Sequence, residues 1–184
     1  MSSQDWRVAR AAASVLAGGV LVHATEAVFG LAAAAGREEA CARVAALKRR
    51  PRSKPFIILV GSITQLDGLV CLDTPLRARI LESWPGPHTW ILPAVRHCPR
   101  WLVGRDGRLA VRVTAHPQAA QLSLRAGPLV STSANPPGAA PARRLHRARQ
   151  YFAAAVDVYL PGTLGGAARP STLRDGVTGR VLRA

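Results

Sequence analysis

The sequence predicts an α/β protein folded around one open sheet. Three observations carry this. Stretches with helical spacing of apolar residues alternate with short runs that read as strands. The connections between them are mostly modest in length, and 48% of the 184 residues are hydrophobic, enough for a substantial core. No internal repeat divides the chain, so one domain over residues 1–184 is expected.

A first helix is expected over residues 5–17, with Val8, Ala11, Ala12, Val15 and Leu16 on one face and Gly18-Gly19 as its stop. Residues 20–24 read as a strand. The polar pair Thr25-Glu26 leaves its end, and Gly30 soon comes after. Ligands sit at strand ends in open α/β sheets, so Thr25 either contributes to a site or caps the next segment. Residues 37–47 form a helix, with Glu38 and Glu39 in the first turn and Ala40, Val44 and Leu47 on one stripe. Residues 56–60 read as a strand covered on both faces, whereas 61–74 carry no pattern. A helix over 75–83 is stopped by Trp84-Pro85-Gly86-Pro87, and a strand over 88–93 puts Trp90 and Leu92 on one face.

After a loop over 94–107, the strand 108–113 alternates. Leu109, Val111 and Val113 face one way, and Arg108, Ala110 and Arg112 the other. Those two arginines are either solvated or line a charged concavity. A helix begins at Pro117 and ends near Gly127, and 128–132 is a short strand. Ser131, Thr132, Ser133 and Asn135 crowd its end, as site groups or as ordinary turn formers. A basic helix over 143–155, a strand over 156–160 and a Gly-rich stretch lead to Pro170-Ser171-Thr172 and the closing Val181-Leu182-Arg183.

Lys and Arg number 25 against 10 Asp and Glu, a net charge of +15, which favours polyanionic partners such as nucleotides or nucleic acid. Cys41, Cys71 and Cys98 are odd in number and far apart, so free thiols in a reducing compartment are expected. The histidines lack metal-ligand spacing. Arg7 and Arg10 before an apolar run mimic a signal peptide, but Gly18-Gly19 interrupts that run, which is also too short to span a bilayer. A soluble cytoplasmic protein with no membrane partner is therefore expected. Neither G-x-G-x-x-G nor a P-loop is present.

The densest chemistry lies at Lys48-Arg49-Arg50-Pro51-Arg52-Ser53-Lys54, where five cations fall within seven residues between a helix and a buried strand. Capping of a helix C-terminus accounts for two or three of them. Five, with core directly after them, point to an anion site.

Taken together, these stretches resemble the YrdC/TsaC family. Thr25-Glu26-Ala27-Val28-Phe29-Gly30, the KxR of Lys48 and Arg50 with Lys54, Trp84-Pro85-Gly86-Pro87, the strand ending in Arg112-Val113, the SxN of Ser133 and Asn135, Pro170-Ser171-Thr172 and the closing Val181-Leu182-Arg183 match its signatures in order. The length is similar to that of the short bacterial form. The resemblance implies a single twisted YrdC-like α/β domain around a large, positively charged concave cavity. It implies synthesis of threonylcarbamoyl-AMP and pyrophosphate from L-threonine, bicarbonate and ATP, with Mg²⁺ accompanying the nucleotide. The product would feed a downstream threonylcarbamoyl transferase complex acting on tRNA next to the anticodon, and weak tRNA binding is expected.

By the same resemblance, Lys48 and Arg50 are catalytic. Lys48, Arg50, Lys54, Arg108, Ser133, Asn135 and Arg183 would bind ATP, and Thr25, Ala27, Arg112, Ser131 and Ser171 would hold threonine. No metal ligand is identified beyond a weak suggestion at Glu26. The chain departs from the family at Ala24, where a proline usually stands, at Leu59, where longer relatives carry a histidine, and at Lys54-Pro55-Phe56. Two rival readings are a non-catalytic RNA-binding protein using the basic surface and a carbamoyl-transferring module like that of hydrogenase-maturation proteins.

Overall fold

The computed structural model describes residues 3–51 and 56–184. Nine strands form one mixed sheet: β1 (Leu21–Ala24), β2 (Phe29–Ala34), β3 (Ile57–Val60), β4 (His88–Pro93), β5 (Arg108–Val113), β6 (Leu129–Ser133), β7 (Val158–Tyr159), β8 (Thr172–Asp175) and β9 (Val181–Arg183). Their order across the sheet is β7-β1-β2-β6-β3-β5-β4-β8-β9. Parallel pairs (β1·β7, β3·β5, β4·β8) mix with antiparallel ones. The helices are α1 (Ser3–Leu16), α2 (Glu38–Leu47), α3 (Arg77–Glu82), α4 (Pro117–Ala126) and α5 (Leu145–Phe152). The expected α/β class and open sheet are found.

Residues opposite one another in register share a face of the sheet. Leu21, Ala32, Ser131, Ile57, Ala110 and Ile91 form one such row, and Ala34, Leu129, Leu59 and Arg112 form the next. On this face the apolar members Leu21, Ala32, Ala34, Leu59 and Leu129 pack beneath α1 and α4, against Val8, Ala11, Val15, Ala119 and Leu122. The opposite face carries the larger core, with Val22, Leu31, Ile58, Val111 and Val130 under α2, α3 and α5. Burying the α1 stripe stabilises by about 1.5–3 kcal/mol for each large side chain. Leu16, expected on that stripe, is instead 47% exposed.

α2 ends four residues before Pro51, in a Schellman turn. Arg49 N–H reaches Ala46 O at 2.9 Å, and Arg50 N–H reaches Ala45 O at 2.9 Å. The turn requires a left-handed residue, and Arg49 supplies it at φ 43° where glycine is usual. The consequence is positional: Arg49 and Arg50 fall in the turn beyond the helix, with Lys48 as its last cap residue. α4 starts at His116, whose ring accepts from Ala119 N–H at 3.3 Å, with Pro117 at the first helical position.

The sequence reading missed β2, β8 and β9, and it made the basic helix too long. α5 stops at Phe152 because Ala153 turns to φ 42°. The strand expected over 156–160 is paired only at Val158 and Tyr159. Cys41, Cys71 and Cys98 are all free. Among the described residues no helix is long and apolar enough to cross a membrane.

Candidate active site

α1 and α4 cover half of their face of the sheet, and the other half is the floor of a cavity of about 580 Å³. That volume lies within the range of clefts that take small-molecule ligands. The floor is formed by Gly30, Ile57, Leu59, Ile91, Ala110, Arg112, Ser131, Ser133 and Leu173. This corrects the expectation for β3: Ile57 faces the cavity, so the strand is not covered throughout on both sides.

Three walls rise from the floor. The first is the turn after β1, which brings in Thr25, Glu26, Ala27 and Val28. Thr25 Oγ1–H and N–H both reach Val28 O, at 2.6 and 3.2 Å, so this residue closes the turn and lines the site together. A glycine-rich strap ties the turn down: Gly165 N–H donates to Thr25 O at 3.1 Å and Ala167 N–H to Glu26 O at 2.9 Å. The strap is itself held by His116, whose Nε2–H donates to Thr163 O at 2.8 Å. The turn thus has a fixed shape without the family's proline at Ala24.

The second wall is the Schellman turn, with Lys48, Arg49, Arg50 and Pro51. Lys48 Nζ donates to Ser133 O at 2.8 Å, Asn135 O at 2.5 Å and Asn135 Oδ1 at 2.9 Å. The KxR and SxN motifs are therefore one physical unit, an ammonium latching the turn at the end of β6. The Asn135 amide nitrogen completes that turn by donating to Ala139 O at 2.6 Å. Arg50 lies over the Phe56 ring at 4.9 Å. Burial, and then the charge of Arg183, press its pKa below the ordinary arginine value. Two like charges held near one another in a concavity favour an anion between them.

The third wall comes from the C-terminal strands, with Arg169, Pro170, Ser171 and Arg183. Ser171 is 5% exposed, and its hydroxyl bonds Thr89 Oγ1 at 2.8 Å. Arg183 Nη2 donates to Ser171 O at 3.1 Å, joining the edge strand to the site. On the floor, Arg112 is ion-paired to Glu26. Glu26 also accepts from Thr114 Oγ1–H at 2.7 Å and Ala115 N–H at 3.1 Å. Burial alone would raise the Glu26 carboxyl, but Arg112 and the hydrogen bonds outweigh it and hold the pKa below its ordinary value.

Of the residues expected in a site, Thr25, Ala27, Lys48, Arg50, Arg112, Ser131, Ser133, Ser171 and Arg183 line this one cavity. Asn135 stands behind the wall, joined through Lys48. Arg108 is not among the residues lining the cavity. Its guanidinium is held by Asp106 at 2.7 Å and Asp175 at 2.6 Å, local acids that satisfy it more cheaply than a distant ligand could. Lys54 lies outside the described residues. Sequence reasoning missed Arg49 and Arg169 as lining cations, although the first sat within the basic cluster and the second beside Pro170-Ser171. Among the described residues no group of three His, Cys, Asp or Glu side chains is placed to hold a metal ion.

Comparison with known proteins shows what the chain as a whole is similar to. The model of the Sua5/YciO/YrdC family, described as "Telomere recombination", matches residues 14–184. The chain is 46% identical over 183 residues to the threonylcarbamoyl-AMP synthase of Halorhodospira halophila, covering 98% of this chain and 96% of that one. Against the threonylcarbamoyl-AMP synthase of Nitrosococcus oceani it is 46% identical over 185 residues, covering 100% of both. Among solved structures, P. abyssi Sua5 complexed with L-threonine superposes with a TM-score of 0.86 at 31% identity. This chain spans about half of that one, 52% of its length, and is covered to 95% itself. E. coli YciO shares the fold, with a TM-score of 0.87 at 24% identity over 99% of this chain and 90% of that one.

Proposed function

The chain belongs to the Sua5/YciO/YrdC family, and from that premise we propose that it is a threonylcarbamoyl-AMP synthase acting on L-threonine, bicarbonate and ATP in the cavity described above. The amine nitrogen of threonine bonds to the bicarbonate carbon, and water and a proton leave. A carbamate oxygen then attacks the α-phosphorus of ATP as the bond to pyrophosphate breaks. Two anions must meet at phosphorus, and negative charge builds on the phosphoryl oxygens and the leaving pyrophosphate. Fixed cations in a partly dry cleft lower that barrier.

The observation that carries this reading is the pair Arg50 and Arg183, like-charged guanidiniums that line one cavity together with Arg112 and Ser171. Arg50 and Arg183 bind the phosphates, and Ser133 hydrogen-bonds the nucleotide. Lys48 contributes its charge and sets the position of the turn that carries Ser133 and Asn135. Lys54, outside the described residues, is assigned to the phosphate contacts by its place in the family signature. Arg112 pairs with the threonine carboxylate, while Thr25, Ala27, Ser131 and Ser171 shape the space beside it. The Arg108 assignment to ATP is not carried forward, because two carboxylates already hold that guanidinium.

Among the described residues no group of three His, Cys, Asp or Glu side chains is placed to cage Mg²⁺, Glu26 being the one acid at the cavity. Such a metal is held by phosphate oxygens and water, as is usual for magnesium. We assign the product to tRNA modification through a downstream transferase, with weak tRNA contact through the net charge of +15 and a cytoplasmic setting. One domain over residues 1–184 houses the whole reaction.

The test is pyrophosphate release by the purified chain. Release that requires threonine, bicarbonate and ATP together is the expected result. Equal release with threonine or bicarbonate omitted overturns the assignment.

A further inference from the structure

We propose that Glu26 and Arg112 read the amino acid as a zwitterion, Arg112 taking its carboxylate and Glu26 its α-ammonium group. The inference rests on the reading of this cavity as a threonine site. Glu26 is the single acidic side chain among the described residues lining the cavity, whose other charged members are all Lys or Arg. A carboxylate works against the anion binding for which the remaining walls are suited, so its place there asks for a cationic ligand group.

Arg112 meets part of that demand but does not exhaust it. A carboxylate offers about four acceptor positions. Arg112 Nη2 takes one on Oε2, and Thr114 Oγ1–H and Ala115 N–H take two on Oε1. One position on Oε2 remains. Arg112 likewise keeps capacity, for Glu26 engages only its Nη2. The residue is only 8% exposed, so its guanidinium is fixed at the cavity floor. The carboxylate is fixed too, since Ala167 N–H pins the Glu26 backbone while Thr114 and Ala115 hold the side chain. Adjacent opposite charges with spare bonding positions match the carboxylate and ammonium that a free α-amino acid carries on one carbon.

The arrangement also gives the reaction a direction. The nitrogen substituent is cationic on entry and anionic once it is a carbamate. Glu26 attracts the first and repels the second, toward the walls that hold Arg50 and Arg183.

The test is calorimetric binding of L-threonine and of (R)-3-hydroxybutyrate, which is threonine with its amine replaced by hydrogen, to the full chain and to Glu26→Gln. Wild type is expected to prefer threonine by at least about tenfold, the weight of a charged hydrogen bond. In Glu26→Gln threonine weakens by about 10–100-fold while 3-hydroxybutyrate holds or tightens, so the preference collapses. An unchanged preference in Glu26→Gln, or an equal loss for both ligands, overturns the proposal and leaves Glu26 as a structural counter-ion. If Glu26→Gln does not fold, the wild-type comparison decides: equal affinity for the two ligands refutes ammonium recognition, and a threonine preference lost on N-acetylation supports it. A wild-type chain that binds neither ligand removes the threonine reading itself, and this inference with it.

Discussion

Replacing Lys48 by methionine keeps the stem of the side chain and deletes its ammonium. That group donates to Ser133 O, Asn135 O and Asn135 Oδ1 at 2.8, 2.5 and 2.9 Å. Single charge-assisted hydrogen bonds contribute about 1.5–3 kcal/mol net. Three on one ammonium do not add in full, and the half-buried acceptors regain water, so Lys48→Met should cost about 2–4 kcal/mol. At about 2–4 °C per kcal/mol for a chain of this size, Tm should fall by roughly 5–15 °C. Turnover should fall by about 100-fold or more, because the turn bearing Ser133 shifts and a fixed charge is lost. Thermal melting and pyrophosphate release read the two effects separately. A variant that melts with wild type yet is inactive refutes the latch, and Lys48 then acts through its charge alone. A destabilised variant with a wild-type rate at low temperature refutes its part in the chemistry.

Arg50→Ala removes one of the two mutually repelling guanidiniums and a stacking contact with Phe56, effects of opposite sign on stability. Tm should move little while turnover falls by about 100-fold or more, and wild-type turnover would dismiss its role at phosphate. Ser171→Ala should raise the apparent KM for threonine several-fold more than that for ATP, and equal changes in both would count against a threonine contact. Asp175 is held at about 2, below its ordinary 3.8, by the Thr178 amide first and then by the Val177 amide and Arg108, against the effect of burial. A depressed carboxyl stabilises the fold above its unfolded pKa and loses that contribution as pH falls through the folded one. Asp175→Asn should therefore lower stability at neutral pH by about 1–2 kcal/mol and flatten the acid transition between pH about 4 and 2. An unchanged acid profile would rule out that linkage.

What could be read from the chain depended on how local its cause was. β4 and β5 were legible because alternation is written in six consecutive residues, and His88–Pro93 and Arg108–Val113 match the expected ranges. β2 was not legible: Phe29–Ala34 is buried on both faces and built largely from Ala and Gly, so no period marks it. Its strand character comes from β1 and β6, the latter about a hundred residues away. β8 pairs with β4 across a similar separation in sequence. In the site, the KxR and SxN motifs were visible as motifs, but the Lys48 bonds that unite them span 85 and 87 positions. The partner of Arg112, Glu26, was equally remote at 86 positions. The same alternation offered Arg112 and Arg108 alike; Arg112 lines the cavity, whereas Arg108 is paired with Asp106 and Asp175.

β9 stands at the margin of the sheet, bonded to β8 alone in the strand order, with Val181, Leu182 and Arg183 all exposed. Margins of this kind fray first, and their backbone amides exchange with solvent fastest. Arg183 rides on that margin and shares the field of Arg50, so on the proposed reading a phosphate bound between the two would tie the margin down. If the proposed site is right, occupancy of the cleft would register as order at the border of the sheet. Deuterium uptake at residues 181–183 becomes a gauge of nucleotide binding that no chemical turnover is needed to read.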